Sequence, residues 1–242
     1  MLDMSVEVRE LKPVDLRGGI VIDGFPSTGL ANAIASECII ETLKLDLVAV
    51  LDSDKFPSLS TIYHSMPNFP ARIHANQDLK LAIFISELAL EGSLLRAIGK
   101  TMLAWAREHE CSLILSAGGL PVQALEKTES ADLLAVGSTP ASLEKIRGAG
   151  IKTLEHGAIS GIPGVLLNEG RLAGLDVIVF LVRVLKDAPD FRAAAAVTEA
   201  LGKFAPSCRC DVSSLLVEAE KVEKRLKDIQ RESRHLREGM YV

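Results

Sequence analysis

Aromatic side chains are scarce in this chain of 242 residues, which has one Trp, two Tyr and 4% aromatic residues in all. Proteins that bind single-stranded nucleic acid stack the bases on aromatic side chains and attract the phosphates with an excess of positive charge. The formal net charge here is -5 at pH 7, so the excess of positive charge that attracts phosphates is also lacking. The composition therefore argues against a nucleic-acid partner.

Long apolar runs and a secretory leader are also missing from the sequence. The longest apolar run, LAGLDVIVFLVRVL, is interrupted by Asp176 and Arg183, and a bilayer crossing needs about 20 apolar residues. The first residues lack the basic and apolar regions of a signal peptide. We therefore expect a cytoplasmic protein with reduced thiols and no membrane partner. The four cysteines are Cys38, Cys111, Cys208 and Cys210.

The glycine-bearing turn in DGFPSTGLANAIASE matches no specific catalytic template. Gly24, Pro26 and Gly29 lie where a strand-like run passes into a helical one. The segment lacks the Lys-Ser/Thr pair of a P-loop, the third glycine of a dinucleotide fingerprint and the Gly-x-Ser-x-Gly of a nucleophile elbow. We therefore predict that Gly24, Pro26 and Gly29 form a structural turn, with Ser27 or Thr28 as the N-cap of the following helix.

Metal and cofactor motifs are absent as well. The histidines form neither an HExxH motif nor a pair at helical spacing, and Cys208 and Cys210 have no second pair of ligands nearby. Glu87 and Glu91 are interpreted as solvated charges. We therefore predict no catalytic residue, no metal and no cofactor. The five histidines are His64, His74, His109, His156 and His235.

Apolar runs of strand length alternate with segments of helical period over most of the chain. This order is typical of βαβ units, and it predicts an α/β fold in which helices cover both faces of a mostly parallel sheet, giving three layers. We assign this domain to residues 1–205. The predicted strands are 18–25, 45–52, 79–86, 111–119, 131–139 and 175–182, and the predicted helices are 28–43, 92–110, 140–147 and 189–204.

The C-terminal segment has a different pattern. Residues 211–238 contain neither Pro nor Gly, and a narrow apolar seam at alternating four- and three-residue spacing predicts an amphipathic helix that ends at Gly239. The helix either projects as an arm toward a partner helix or docks on its own domain. We divide this part into a helical arm, 206–238, and a tail, 239–242. The seam comprises Leu215, Ala219, Val222, Leu226, Ile229, Ser233 and Leu236.

The N-terminal half resembles the PAC-type proteasome-assembly-chaperone family. The likeness rests on IDGFPSTGLANAIASECIIETLKLDLVAVLDSDKFP, on PNFPARIHANQDLKLAIFISE, and on LLRAIGKTMLAWAREHECSLILSAGGLP. These carry a Gly-Phe-Pro turn before a Gly-Leu helix, a later Phe-Pro loop, and a helix-strand unit that ends in a double glycine. The sequence departs from the commoner Gly-rich pattern at Ser27, Ala31 and Asn32. The resemblance implies a non-enzymatic, ATP-independent chaperone.

The last three residues match a signature of the archaeal PbaB-type members of that family. Met240, Tyr241 and Val242 fit its hydrophobic-Tyr-X tail in order. The resemblance implies that this tail enters pockets between α-subunits of the archaeal 20S proteasome. Met240 would supply apolar burial, Tyr241 a ring and hydroxyl contact, and the Val242 carboxylate a charge pair with a lysine. It also implies a homo-oligomer, with a tetramer suspected, that assists proteasome assembly and is a candidate activator.

An enzyme is the alternative that we keep open. A hydrolase or a nucleoside-phosphorylase-like transferase acting on small molecules would use the glycine-bearing loops near Gly24, Gly118 and Gly161. This alternative predicts a concave pocket at those loops, with convergent polar groups and shifted pKa values.

Overall fold

The computed structural model describes residues 6–88, 90–122, 133–185, 189–206, 208 and 213. Its helices are α1 Ala31–Leu43, α2 Gly92–Glu108, α3 Pro140–Gly148, α4 Gly161–Ala173 and α5 Phe191–Phe204. Its strands are β1 Glu7–Glu10, β2 Ile20–Gly24, β3 Asp46–Asp52, β4 Thr61–Tyr63, β5 Met66–Asn68, β6 Ala71–Asn76, β7 Leu81–Ser86, β8 Leu113–Val122, β9 Leu133–Gly137, β10 Lys152–Thr153 and β11 Asp176–Leu185.

Nine of the described strands form one sheet in the order β1-β3-β6-β7-β2-β8-β11-β9-β10, and β4 pairs with β5 in a separate hairpin. The four central strands, β7, β2, β8 and β11, run parallel to one another. The strands that flank them pair antiparallel. Between β6 and β7 this follows from the short connecting turn, which can only reverse the chain. The predicted α/β class is confirmed, and in the described sheet parallel pairing is confined to the centre and to the edge pair β9–β10.

Both faces of the central sheet are buried, as expected for parallel strands that carry helices on each side. Alternate residues of β11 show this most clearly. Ile178, Phe180 and Val182 pack in the layer that contains α1 and α5, whereas Val177 and Val179 pack in the layer that contains α2 and α4. Each such side chain stabilises the fold by roughly 1.5–3 kcal/mol through removal from water.

Most of the predicted arm and the whole predicted tail lie outside the described residues. Of residues 206–242, the structure describes Pro206, Cys208 and Ser213 alone. The seam that begins at Leu215 and the partner-binding residues Met240, Tyr241 and Val242 therefore remain predictions. Among the described helices, none combines the length and the apolar character that a bilayer crossing requires.

Candidate functional site

A cavity of about 300 Å³ lies at the carboxyl ends of the parallel strands β2, β8 and β11. Its walls are the turn after β2, the second half of β8 and the loop that leads into α4. Open α/β sheets place their ligand sites at this edge, because the loops that leave parallel strands meet there. The cavity is therefore the first place to look for function.

Asp23 contributes a buried carboxyl group to this cavity. The residue is 1% exposed, and its neighbours on β2 are apolar. The Phe25 backbone N–H donates a hydrogen bond to Oδ1 at 3.0 Å, and the Ser116 hydroxyl donates one to Oδ2 at 2.7 Å. Burial raises the pKa of Asp23 to about 6, although these two hydrogen bonds oppose the rise. Near neutral pH the group can therefore hold or release a proton.

Three buried polar atoms near Asp23 have no hydrogen-bond partner among the described residues. They are the hydroxyl oxygens of Ser27 and Ser36 and the side-chain carbonyl oxygen of Asn32. The Asn32 amide nitrogen is satisfied, since it donates to the backbone oxygens of Asp23 and Phe25. Buried polar atoms without partners are uncommon in native proteins, and each has a cost. Ser27 is the one of these three residues that lines the cavity.

The turn between β2 and α1 is longer than the sequence suggested. Leu30 donates its N–H to the Ser27 carbonyl at 2.9 Å, and α1 begins only at Ala31. Its N-cap is Leu30, with φ 55° and no side-chain cap bond. The prediction that Ser27 or Thr28 caps the helix is therefore wrong. Gly29 has φ 76°, and a Cβ there would lie 2.5 Å from Val184 Cβ. The close approach of β11 therefore requires glycine at position 29.

The first turn of α4 forms another wall of the cavity. Ser160 is the N-cap of α4, and its side chain makes no capping hydrogen bond. Ser160, Gly161 and Ile162 all line the cavity. Since the first N–H groups of a helix have no partner within the helix, this wall presents hydrogen-bond donors and a partial positive charge.

The segments that the enzyme alternative named do converge on the cavity, although Gly24 and Gly118 lie within strands β2 and β8 rather than in loops. Pro26, Gly118 and Gly161 line it. Gly24 lies beneath it, where a Cβ would be 2.6 Å from the Ser36 hydroxyl oxygen. Sequence reasoning missed Asp23 and Ser116. The available signal was a charged residue within the otherwise apolar strand IVIDGF.

The cavity meets part of what an enzyme would need. It is concave, it has convergent polar groups, and it contains an acid with a raised pKa, as that alternative predicted. The Ser116 hydroxyl donates to Asp23, and none of the described histidines lines the cavity to act as its base. The described residues also contain no group of three potential metal ligands. The geometry is therefore better suited to holding a ligand than to nucleophilic catalysis.

Glu87 is not a solvated charge, which corrects the interpretation from sequence. Its carboxylate and the Arg72 guanidinium are both buried, and they form two parallel contacts of 2.8 and 2.7 Å. Burial by itself would lower the pKa of Arg72, but attraction to Glu87 and hydrogen bonds with it raise that pKa above its ordinary value. Glu91, by contrast, is exposed at the N-cap of α2.

Cys38 differs from the sequence expectation of reduced thiols, whereas Cys111 agrees with it. Cys38, on α1, is disulfide-bonded. Cys111 is a free thiol, and its burial raises its pKa to about 11, so it is protonated and unreactive at neutral pH. Cys208 is buried.

Comparison with known proteins places this fold in a family. The model of the PAC2 family matches residues 21–230, which is most of the chain. The chain belongs to the PAC2 family. The resemblance inferred from the Gly-Phe-Pro turn and the double-glycine unit is therefore confirmed at the family level.

Several PAC2-like structures cover nearly all of the chain. PbaA of Pyrococcus furiosus, an archaeal homolog of proteasome-assembly chaperone, is 28% identical, with a TM-score of 0.82 over 96% of this chain and 100% of its own. PbaB of the same organism, an archaeal proteasome activator, is 24% identical, with a TM-score of 0.74 over 94% and 99%. At that identity, the PbaB likeness shows the fold alone.

A relative found by sequence similarity also matches nearly all of the chain. An uncharacterized protein of Methanocaldococcus jannaschii is 26% identical over 225 residues, which cover 93% of this chain and 91% of the relative. The likeness to known proteins therefore extends over most of the chain, and it includes the strands and loops that enclose the Asp23 cavity.

Proposed function

We propose that this PAC2 chain is an ATP-independent proteasome assembly chaperone and a candidate activator. In this proposal it acts as a homo-oligomer and binds the α-ring of an archaeal 20S proteasome. Met240, Tyr241 and Val242 make the contact, and the arm of residues 206–238 carries them from the α/β domain. The protein needs no nucleotide and performs no chemistry on its partner.

The likeness to PbaA is the observation that supports this function most strongly. PbaA is described as an archaeal homolog of proteasome-assembly chaperone, and the match extends over the full length of PbaA at 28% identity. A likeness over complete chains supports a shared role better than a likeness confined to one motif, because fold elements alone are used for many purposes.

The proposed tail suits a shared pocket between two subunits. An apolar side chain, a tyrosine with one hydroxyl and a terminal carboxylate supply burial, a hydrogen bond and a charge pair. Three residues bury little area, so the free energy that one tail gains on binding only slightly exceeds the entropic cost of ordering it. Several tails on one oligomer gain on the order of 10²- to 10⁴-fold through effective concentration. Oligomerisation is therefore part of the proposed mechanism.

The hairpin β4–β5 supports self-association. Ile62 and Met66 are each 68% exposed, and Tyr63 and Phe69 are also exposed beside them. Large apolar side chains that cluster at a surface are typical of faces that bind another protein. In a homo-oligomer a second copy of the chain would cover this hairpin.

Truncation of the chain tests the role of the tail. The full-length chain and a chain that ends at Gly239 are passed over immobilised archaeal 20S proteasome without nucleotide. We expect capture of the full-length chain and loss of capture on truncation, because the apolar, aromatic and carboxylate contacts are removed together.

Matched controls separate binding from folding. Circular dichroism and oligomer size should be the same for the two chains, and Met240→Leu should still be captured because it keeps an apolar side chain. Equal capture of the truncated and full-length chains would show that the tail is not the contact.

A further inference from the structure

The Asp23 cavity has no part in the tail contact proposed above, yet it has the size and lining of a ligand site. Its volume of about 300 Å³ is at the lower end of the range for small-molecule pockets, roughly 300–1,000 Å³. Leu95, Ile162 and Leu181 supply apolar walls, and the polar groups lie on two separate chain segments. An apolar lining with a few convergent polar groups is the usual composition of such pockets.

Asp23 provides a hydrogen-bond acceptor at one side of the cavity. A carboxylate has about four acceptor positions, and Asp23 uses two of them, for the Phe25 N–H and the Ser116 hydroxyl. The remaining capacity suits a ligand that carries N–H donors. The buried Ser27 hydroxyl, which lines the same cavity and has no partner among the described residues, offers a further polar contact.

The N-terminal turn of α4 provides donors at another wall. Ser160 leaves the first N–H groups of α4 without a side-chain acceptor, and Gly161 and Ile162 line the cavity. A carbonyl oxygen of a ligand fits this wall, since it would accept from those N–H groups.

The lining of the cavity argues against nucleotides and other polyanions as ligands. None of the described residues that line the cavity is Lys, Arg or His, whereas pockets for nucleotides and other polyanions rely on cationic groups. A single acid among apolar walls favours a ligand with an amine over a ligand with a phosphate. The small volume limits the ligand to a compact molecule.

We propose that this cavity binds a small amine with an apolar body and a carbonyl group. The amine nitrogen donates to the Asp23 carboxylate, the apolar body lies against Leu95 and Leu181, and the carbonyl oxygen accepts from the first turn of α4. The proposal is independent of proteasome binding, so either proposal can fail without the other.

A matched pair of probes tests this assignment. L-Leucinamide has an amine, an isobutyl body and a carboxamide, and 4-methylpentanamide lacks only the amine. Saturation-transfer NMR with the full-length chain at pH 7.5 is expected to show binding of leucinamide at millimolar concentration. Its dissociation constant should be at least about tenfold lower than that of 4-methylpentanamide, because the amine adds a charged hydrogen bond to Asp23.

Variants identify the groups responsible. Asp23→Asn should abolish the difference between the two probes. Gly118→Val should remove binding of both, since a Cβ at position 118 has room at 3.4 Å from Leu181 and 3.9 Å from Pro163, and its methyl groups would fill the cavity. Gly119 is unsuitable for this purpose, because a Cβ there would lie 2.2 Å from the Thr28 carbonyl oxygen.

A control variant, and a second comparison for the case in which Gly118→Val does not fold, complete the test. Gly148→Ala, at an open position on α3, should leave binding of both probes unchanged. If Gly118→Val does not fold, as judged by circular dichroism, the affinities of the two probes for the wild type and for Asp23→Asn are sufficient to test the proposal. Equal affinities of the wild type for both probes, or no saturation transfer to leucinamide, would overturn the proposal.

Discussion

At the residue scale, the carboxyl group of Asp23 should make the stability of the protein depend on pH. It is buried on β2, its pKa is raised to about 6 by burial, and two hydrogen bonds offset only part of the cost of its charge. A folded-state pKa above the ordinary value of 3.8 means that the native state binds a proton more tightly than the unfolded chain does. Its contribution to stability is therefore fully present below about pH 4 and is lost as the pH rises through 6.

The variant Asp23→Asn should reveal this dependence. At pH 4 the carboxyl group is protonated and resembles the amide, so the two proteins should differ little in their free energy of unfolding. At pH 7 the variant avoids a buried charge, and it should gain on the order of 3 kcal/mol relative to the wild type. Urea unfolding of both proteins at pH 4, 5, 6 and 7 measures the difference. A gap that is constant with pH would contradict the assigned pKa.

Sequence reasoning found the loops around this residue but not the residue itself. Gly161 was identifiable because glycines that follow strand-like runs mark turns. Gly118 was identified by the same rule, but it lies inside β8 rather than in a turn. In the sequence, Asp23 looked like an ordinary residue at the end of a strand. Its burial depends on Ser116 and on the helices packed over both faces of the sheet, which are distant from it in the sequence. The contact with Ser116 leaves no local pattern in the sequence, so the one local signal was the charged residue within an otherwise apolar strand.

At the element scale, Arg72 on β6 and Glu87 just after β7 join two antiparallel strands inside the protein. Arg72 also donates from Nη1 to the Phe69 carbonyl oxygen at 3.0 Å and from Nε to His74 Nε2 at 3.2 Å. Because His74 Nε2 accepts this bond, its Nδ1 carries the proton and donates to the Leu45 carbonyl oxygen at 3.1 Å. The ion pair is therefore the centre of a buried network that sets how β6 packs beside β7.

Removal of one partner of this pair should be costly. Arg72→Met leaves the Glu87 carboxylate buried and unpaired, and we expect a loss of about 3–5 kcal/mol in the free energy of unfolding. The double variant Arg72→Met/Glu87→Leu should recover most of that loss, since apolar residues of similar volume often replace a buried pair without penalty. Thermal and urea unfolding provide the measurement.

An exposed pair gives the matched control. Arg9 lies 2.8 Å from the Asp52 carboxylate at the edge of the sheet, and both side chains are at least half exposed. Arg9→Met should change stability by less than about 1 kcal/mol. If Arg72→Met were as mild as Arg9→Met, the Arg72–Glu87 pair would not have the role described.

The elements that the sequence predicted best are those with an unambiguous period. Helix α2 was expected over 92–110 and extends over Gly92–Glu108, with Leu94, Ile98, Met102 and Trp105 buried on one face. Helix α4 was missed, because Gly161, Pro163 and Gly164 suggest a loop. Pro163 is tolerated since the first turn of a helix needs no N–H donors. Strand β6 was missed because Arg72, His74 and Asn76 interrupt its apolar residues. The hairpin β4–β5 was missed because each of its strands has only three residues.

At the scale of the whole molecule, family membership and the proposed tail contact rest on different parts of the chain. Membership follows from a match over residues 21–230 and from a fold shared with PbaA. The tail, by contrast, was inferred from three terminal residues whose significance depends on the family. No local physical pattern distinguishes a binding tail from a frayed end, so the sequence could suggest this role only through resemblance.

Sedimentation velocity of the full-length chain mixed with purified archaeal 20S proteasome, without nucleotide, is the most direct test of proteasome binding through the tail. We expect wild-type protein to co-sediment with the proteasome and Tyr241→Ala protein, of unchanged oligomer size, to sediment apart from it. Wild-type protein that sediments separately from the proteasome at micromolar concentrations, or a Tyr241→Ala variant that co-sediments as fully as the wild type, would contradict binding through the tail.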